Sequence, residues 1–184
     1  MTACIITQGL TAPDCSSRFS SPGVAHDDIY IFNYSEIASF TTGAQEGEVS
    51  AITFSPSYEV GFKLDIHKNS GQFLEELQVG EESAPFYNQT FSARVIANDT
   101  VTRNAIEGFV GVDVVIAAKL KNGKYILLGE LAGLKLTEQV KDSGKVAGDS
   151  VGDTLVFTGE ENGKARFFFD TSEDNTKTVL DGYL

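Results

Sequence analysis

Residues 58–67 alternate without a break. Tyr58, Val60, Phe62, Leu64 and Ile66 fall on one side, and Glu59, Gly61, Lys63, Asp65 and His67 on the other. A sustained period of two predicts a strand with one buried face and one wet face. Residues 27–34 are apolar on both sides, Ile29 and Ile31 against Tyr30, Phe32 and Tyr34. That pattern predicts a strand covered on both faces. Shorter runs predict strands over 49–54, 73–79 and 86–97. Residues 110–120 are β-branched and apolar, as a central strand is. Lys121-Asn122-Gly123-Lys124 then closes a hairpin onto residues 125–128. Asn-Gly accepts the positive φ values of a type I′ turn. Gly129 and Gly133 let residues 131–137 either pair or bend away. A last hairpin is expected between 153–158 and 165–170, around Glu160-Glu161-Asn162-Gly163.

Only one stretch changes period. Asn98 or Asp99 can cap a helix, and Val101, Ala105, Ile106 and Phe109 then share a helical face. One short helix near 99–109 is expected. Residues 41–48, 69–71 and 139–149 read as loops or turns. Residues 1–26 are rich in Ser, Thr, Gly and Pro and read as an extended N-terminal arm. Residues 171–184 read as a tail, loosely ordered or held by a partner. The expected domain spans 27–170: an all-β fold with one short helix, a β-sandwich or barrel-like domain of eight or nine strands.

A chain of 184 residues is most simply one domain, long enough to bury a core without metal or disulfide staples. No apolar run approaches the roughly 18 residues of a membrane span. The N-terminus lacks a basic n-region and an apolar h-region, so no secretory signal is expected. Cys4 and Cys15 read as reduced thiols or a local disulfide. With only His26 and His67 beside them, no zinc-ligand spacing exists.

Charge changes the picture more. The chain carries 26 acids and 14 bases, a net −12. Residues 1–92 hold twelve of the acids and only three bases, Arg18, Lys63 and Lys68. Such a surface repels polyanions, which disfavours binding of nucleic acid through a basic patch. A wall that DNA slides past, however, benefits from not holding it.

Candidate chemistry is thin. His67 beside Asp65 is an acid–base pair without a nucleophile, and reads as a solvated histidine. Glu75, Glu76, Glu81 and Glu82 form the densest acidic cluster, but adjacent acids on a strand point to opposite faces. They read as an acidic rim rather than a glycosidase pair. Residues 170–174 place oxygens as a calcium loop does, but Asn175 stands where that loop needs Gly. Asn33, Asn88 and Asn98 match the glycosylation pattern only by chance in a chain without a secretory signal. Phe167-Phe168-Phe169 puts rings on both faces of a strand, so both faces need cover. No catalytic residue, cofactor or metal is expected, and no membrane partner.

The order of these segments resembles a known family. Two closely spaced cysteines precede an aromatic strand near residue 30. Phe73-Leu74-Glu75-Glu76, Phe86–Phe91, the helix, the run from Asn122 to Thr137 and Thr158-Gly159-Glu160 follow. This is similar to the tail tube proteins of long-tailed bacteriophages, over about residues 1–165. The resemblance implies a virion structural protein, assembled in the host bacterial cytoplasm. Its subunits close into hexameric rings that stack into a tube. The partners implied are the chain itself, other phage tail proteins, and DNA in transit without specific binding.

On that basis Glu59, Lys63, Asp65, His67 and Glu75 are the candidate lumen-facing residues. Tyr125, Leu127, Leu134 and Phe168 are the candidate subunit-contact residues. Rival expectations are a tail terminator, head-completion or capsid decoration protein, or the inner tube of a contractile injection device. A β-sandwich carbohydrate-binding module is a further one, although the chain has no Trp.

Overall fold

In the computed structural model the described residues are 23–55, 61–79, 84–96, 99–144, 151–169 and 171–184. They are mostly β-sheet. The strands are β1 (Val24–Asn33), β2 (Ile37–Thr42), β3 (Glu48–Phe54), β4 (Gly61–Lys63), β5 (Gln72–Gln78) and β6 (Phe86–Val95). After helix α1 (Thr100–Gly108) come β7 (Asp113–Leu120), β8 (Tyr125–Leu128), β9 (Leu134–Asp142), β10 (Gly152–Glu161) and β11 (Arg166–Phe168). Helix α2 (Glu173–Asp181) ends the fold.

All eleven strands join one open sheet in the order β2-β3-β11-β8-β7-β9-β10-β6-β5, with β1 on β7 and β4 on β1. The all-β expectation holds, but the sheet is not a barrel. Its path folds at β7, whose first residues pair with β9 while residues 116–119 pair with β8. That fold sets two layers face to face. Ile29, Ile31, Ile116 and Leu128 of the central strands meet Phe91, Leu155 and Phe157 across the first core, which Ile106 of α1 also enters. The opposite faces of the central strands build a second core. There Tyr30, Phe32, Val115, Tyr125 and Leu127 meet Val49, Ile52, Phe168 and Leu180. β1 is thus covered on both faces, as its two-sided apolar pattern requires.

Several local expectations change. The strand expected over 58–67 is only Gly61–Lys63 where it is described, and 58–60 lie outside the described residues. Leu64 and Ile66 are buried as expected, but Phe62 is half exposed. Within residues 121–123 only Gly123 has a positive φ, at +90°. Its N–H donates to Leu120 O at 2.9 Å, and Leu120 N–H to Lys124 O at 2.7 Å. This is a three-residue loop with a glycine bulge rather than a type I′ turn.

Residues 139–142, read as loop, continue β9 between Gly152–Leu155 of β10 and open solvent. Their polarity reflects exposure, not irregularity. The last hairpin does not form. β10 lies between β6 and β9, whereas β11 crosses to pair antiparallel with β8 and parallel with β3. The expected tail is largely helix. Ser172 caps α2 by accepting from Asn175 N–H at 3.2 Å, and Leu180 is fully buried. The calcium-like oxygens at 172–174 are therefore a helix start, and Asp170 lies outside the described residues. Residues 24–26, assigned to the arm, open β1. The rest of the arm, 1–22, lies outside the described residues, with both cysteines.

Candidate functional site

The four expected subunit-contact residues lie inside the molecule. Tyr125, Leu127, Leu134 and Phe168 are all at most 2% exposed. Leu134 belongs to the first core and the other three to the second. Their apolar character serves packing within the chain, and none of them offers a surface to another subunit.

The lumen set is scattered as well. Glu59 lies outside the described residues. Asp65 and His67 are exposed, but beyond the end of β4. Glu75 lies on the inner side of β5, where its carboxylate accepts from Ala165 N–H at 3.1 Å. Lys63 is turned into an ion-pair cluster.

The wet sheet face is elsewhere. β6 buries Gln89, Phe91, Ala93 and Val95 and turns Asn88, Thr90, Ser92 and Arg94 outward. In register with these stand Thr154, Val156, Thr158 and Glu160 of β10. Glu76 of β5 and Glu138 and Asp142 of β9 complete a flat, hydroxyl-rich and mostly acidic surface. The face ends at β5, which among the described residues pairs only with β6 and leaves one backbone edge unpaired. Leu74, Leu77 and Val79 on and just beyond this edge strand are 45–71% exposed. The other terminus of the path, β2, carries no charged residue and pairs only with β3.

A second assembly of side chains surrounds Asp28. This residue sits in a bulge of β1 at φ +59° and is 3% exposed. Lys63 Nζ donates to it at 2.9 Å from β4 and Lys119 Nζ at 3.1 Å from β7. Lys177 of α2 donates to it as well. Burial alone would raise the Asp28 pKa, but these three ammonium donors outweigh it and hold the carboxyl well below its usual range. The Lys63 pKa is raised in turn, chiefly by its bond to Asp28.

Alongside, Tyr30 Oη donates to Asp181 Oδ1 at 2.6 Å. Burial and then this bond push the Tyr30 hydroxyl pKa up. Burial and the nearby carboxylates of Asp28 and Asp181 do the same to Tyr125. The phenols are thus held protonated, and Asp28 is engaged three times. It ties β1, β4, β7 and α2 together.

A third knot closes the opposite end. The buried Glu161 carboxylate accepts Leu131 N–H at 3.0 Å and Ala132 N–H at 3.0 Å. Burial raises its pKa against those bonds. Gln89 bridges Gly129 N–H and Gly163 O, and Arg166 pairs with Glu130. No group of three or more His, Cys, Asp or Glu suited to a metal ion occurs among the described residues.

Comparison with family models, curated proteins and solved structures gives no match. The site residues therefore stand on their geometry. Sequence reasoning missed the Asp28 cluster because its partners lie 35 to 149 positions apart. The local sign of it was Asp28 itself, an acid at the start of a doubly apolar strand.

Proposed function

We propose that this chain is a structural subunit that assembles with copies of itself, as the tail tube proteins it resembles do, into stacked rings through which phage DNA passes. The observation that carries the reading is the open sheet with an unpaired apolar edge at β5. A long unpaired edge invites pairing with another chain, and ring closure is one way to remove it. The outward face of β5, β6, β10 and β9 replaces the 58–67 strand as the proposed lumen wall. Its carboxylates at Glu138 and Glu160 present like charge to DNA, which disfavours adhesion. Other tail proteins are the proposed partners at the tube ends, and the phage virion the proposed location.

Negative-stain microscopy of the purified full chain tests the reading. Rings or hollow tubes are expected. A monomer that persists at high concentration and in high salt overturns it.

A further inference from the structure

We propose that the groove between the start of β1 and the β7–β8 turn is a socket for a carboxylate on a second copy of this chain. The inference rests on the self-assembly reading above. The groove measures about 380 Å³, and Lys68, Lys119 and Lys121 line it with His26. Asp27 is the one acid in the lining, and Ala25 and Leu120 give it an apolar part. Glu173 packs against Gly123 beside it. Three lysines thus line one groove on a chain whose net charge is −12.

Lys121 and Lys68 still have donors to offer. Lys121 Nζ donates to Asn69 Oδ1 at 2.8 Å, and Lys119 Nζ to Asp28 Oδ2 at 3.1 Å. An ammonium has three N–H groups, so Lys121 keeps two beyond its bond to Asn69, whereas Lys119 is committed to the Asp28 cluster. Lys68 makes no ion pair among the described residues. The walls are fixed by Lys121 N–H to Gly23 O at 3.1 Å and by Ser70 N–H to His67 O at 3.1 Å.

Charge complementarity and position name the occupant. The turn that carries Lys68 and Asn69 immediately precedes β5, so the groove lies near the start of the edge strand. On that edge Glu76 is exposed, with Leu74 beside it on the same face. A carboxylate with an apolar neighbour matches a basic rim with an apolar lining. Pairing acidic subunits through such a socket also offsets the like-charge repulsion between them, and most strongly at low salt.

Sedimentation velocity of the full chain across protein concentration tests the socket, with Lys68→Glu, Glu76→Lys and the two combined. The Lys68 side chain makes no hydrogen bond or ion pair among the described residues, so its reversal leaves the thermal midpoint unchanged. Each single reversal is expected to weaken association roughly tenfold at low salt, and the combination to restore it. Association of Lys68→Glu at wild-type strength, or a combination no better than either single change, overturns the socket and leaves the assembly reading standing. A wild-type chain that never associates overturns the assembly reading itself. Inorganic phosphate is the competing probe. Tight binding to monomer without effect on association marks a small-anion site and overturns the proposal.

Discussion

Asp28 meets three ammonium groups, and its backbone makes a clean test possible. Asn tolerates the left-handed region that Asp28 occupies, so Asp28→Asn removes the charge without adding strain. Breaking a buried ion pair costs about 3–5 kcal/mol. The three lysines keep 28–40% of their side-chain exposure and can turn back to water, so a loss of about 2 kcal/mol is expected from urea unfolding at neutral pH. The pH dependence carries a sign. The folded pKa of Asp28 lies below its unfolded value, so its stabilisation is complete above roughly pH 4 and lost as pH falls through the folded pKa.

Glu161 works in the opposite direction. Its folded pKa is raised, so it costs stability as pH rises above roughly 4.3 and through the folded pKa. Urea midpoints measured against pH should therefore show a shallower acid-side fall in Asp28→Asn and a smaller loss above pH 4.3 in Glu161→Gln. A wild-type-like profile in both variants would contradict these charge assignments. Neither residue's role could be read from its sequence neighbours, although Asp28 stands out as an acid at the start of a doubly apolar strand. Each takes its role from distant partners.

At the scale of elements, legibility followed periodicity and failed where pairing is non-local. β1, β3, β5 to β8 and α1 are close to where alternation and the Asp99 cap place them, because those signals lie within the segment itself. Which strand β11 joins is decided by β3 and β8, far away in the chain, so its apolar run was recognised but its neighbours were not. α2 was missed because its surface is polar, yet its start carries a capping serine followed by Glu173 and Asp174, and Val179, Leu180 and Tyr183 form an apolar seam. That seam is anchored at two points. Leu180 fills the second core, and Tyr183 Oη accepts Ile52 N–H at 3.0 Å while its ring packs on Phe32 and Phe54. Leu180→Ala should cost about 2–4 kcal/mol by lost transfer energy and cavity. Tyr183→Phe, which leaves Ile52 N–H without its acceptor, should cost about 1 kcal/mol. If calorimetric midpoints of both variants match the parent, α2 is not integral to the second core.

At the scale of the whole molecule, the question is why a sheet with two covered cores stays open. Both faces of the central strands are satisfied within one chain, so nothing internal requires further strands beyond β5 or β2. What is left over is backbone: a row of amides and carbonyls along β5, flanked by exposed Leu74, Leu77 and Val79. Edges of this kind are blunted in monomers by lysine, proline or a covering loop. The only charges β5 carries are Glu75, which bonds Ala165 N–H, and Glu76 on the outward face. Leu77→Lys supplies the missing block. Leu77 is 54% exposed, so its replacement should leave the folded monomer within about 0.5 kcal/mol of the parent. Assembly through β5 should be abolished, read as loss of rings in stained images and as a single monomer boundary in sedimentation. Thr41→Lys on β2 separates the two termini of the sheet. A head-to-tail ring that joins β5 of one copy to β2 of the next loses closure with either change. A contact between two β5 edges is lost only with Leu77→Lys. If rings survive both substitutions, the β5 and β2 edges are not the assembly surface, and the apolar residues on β5 need another partner.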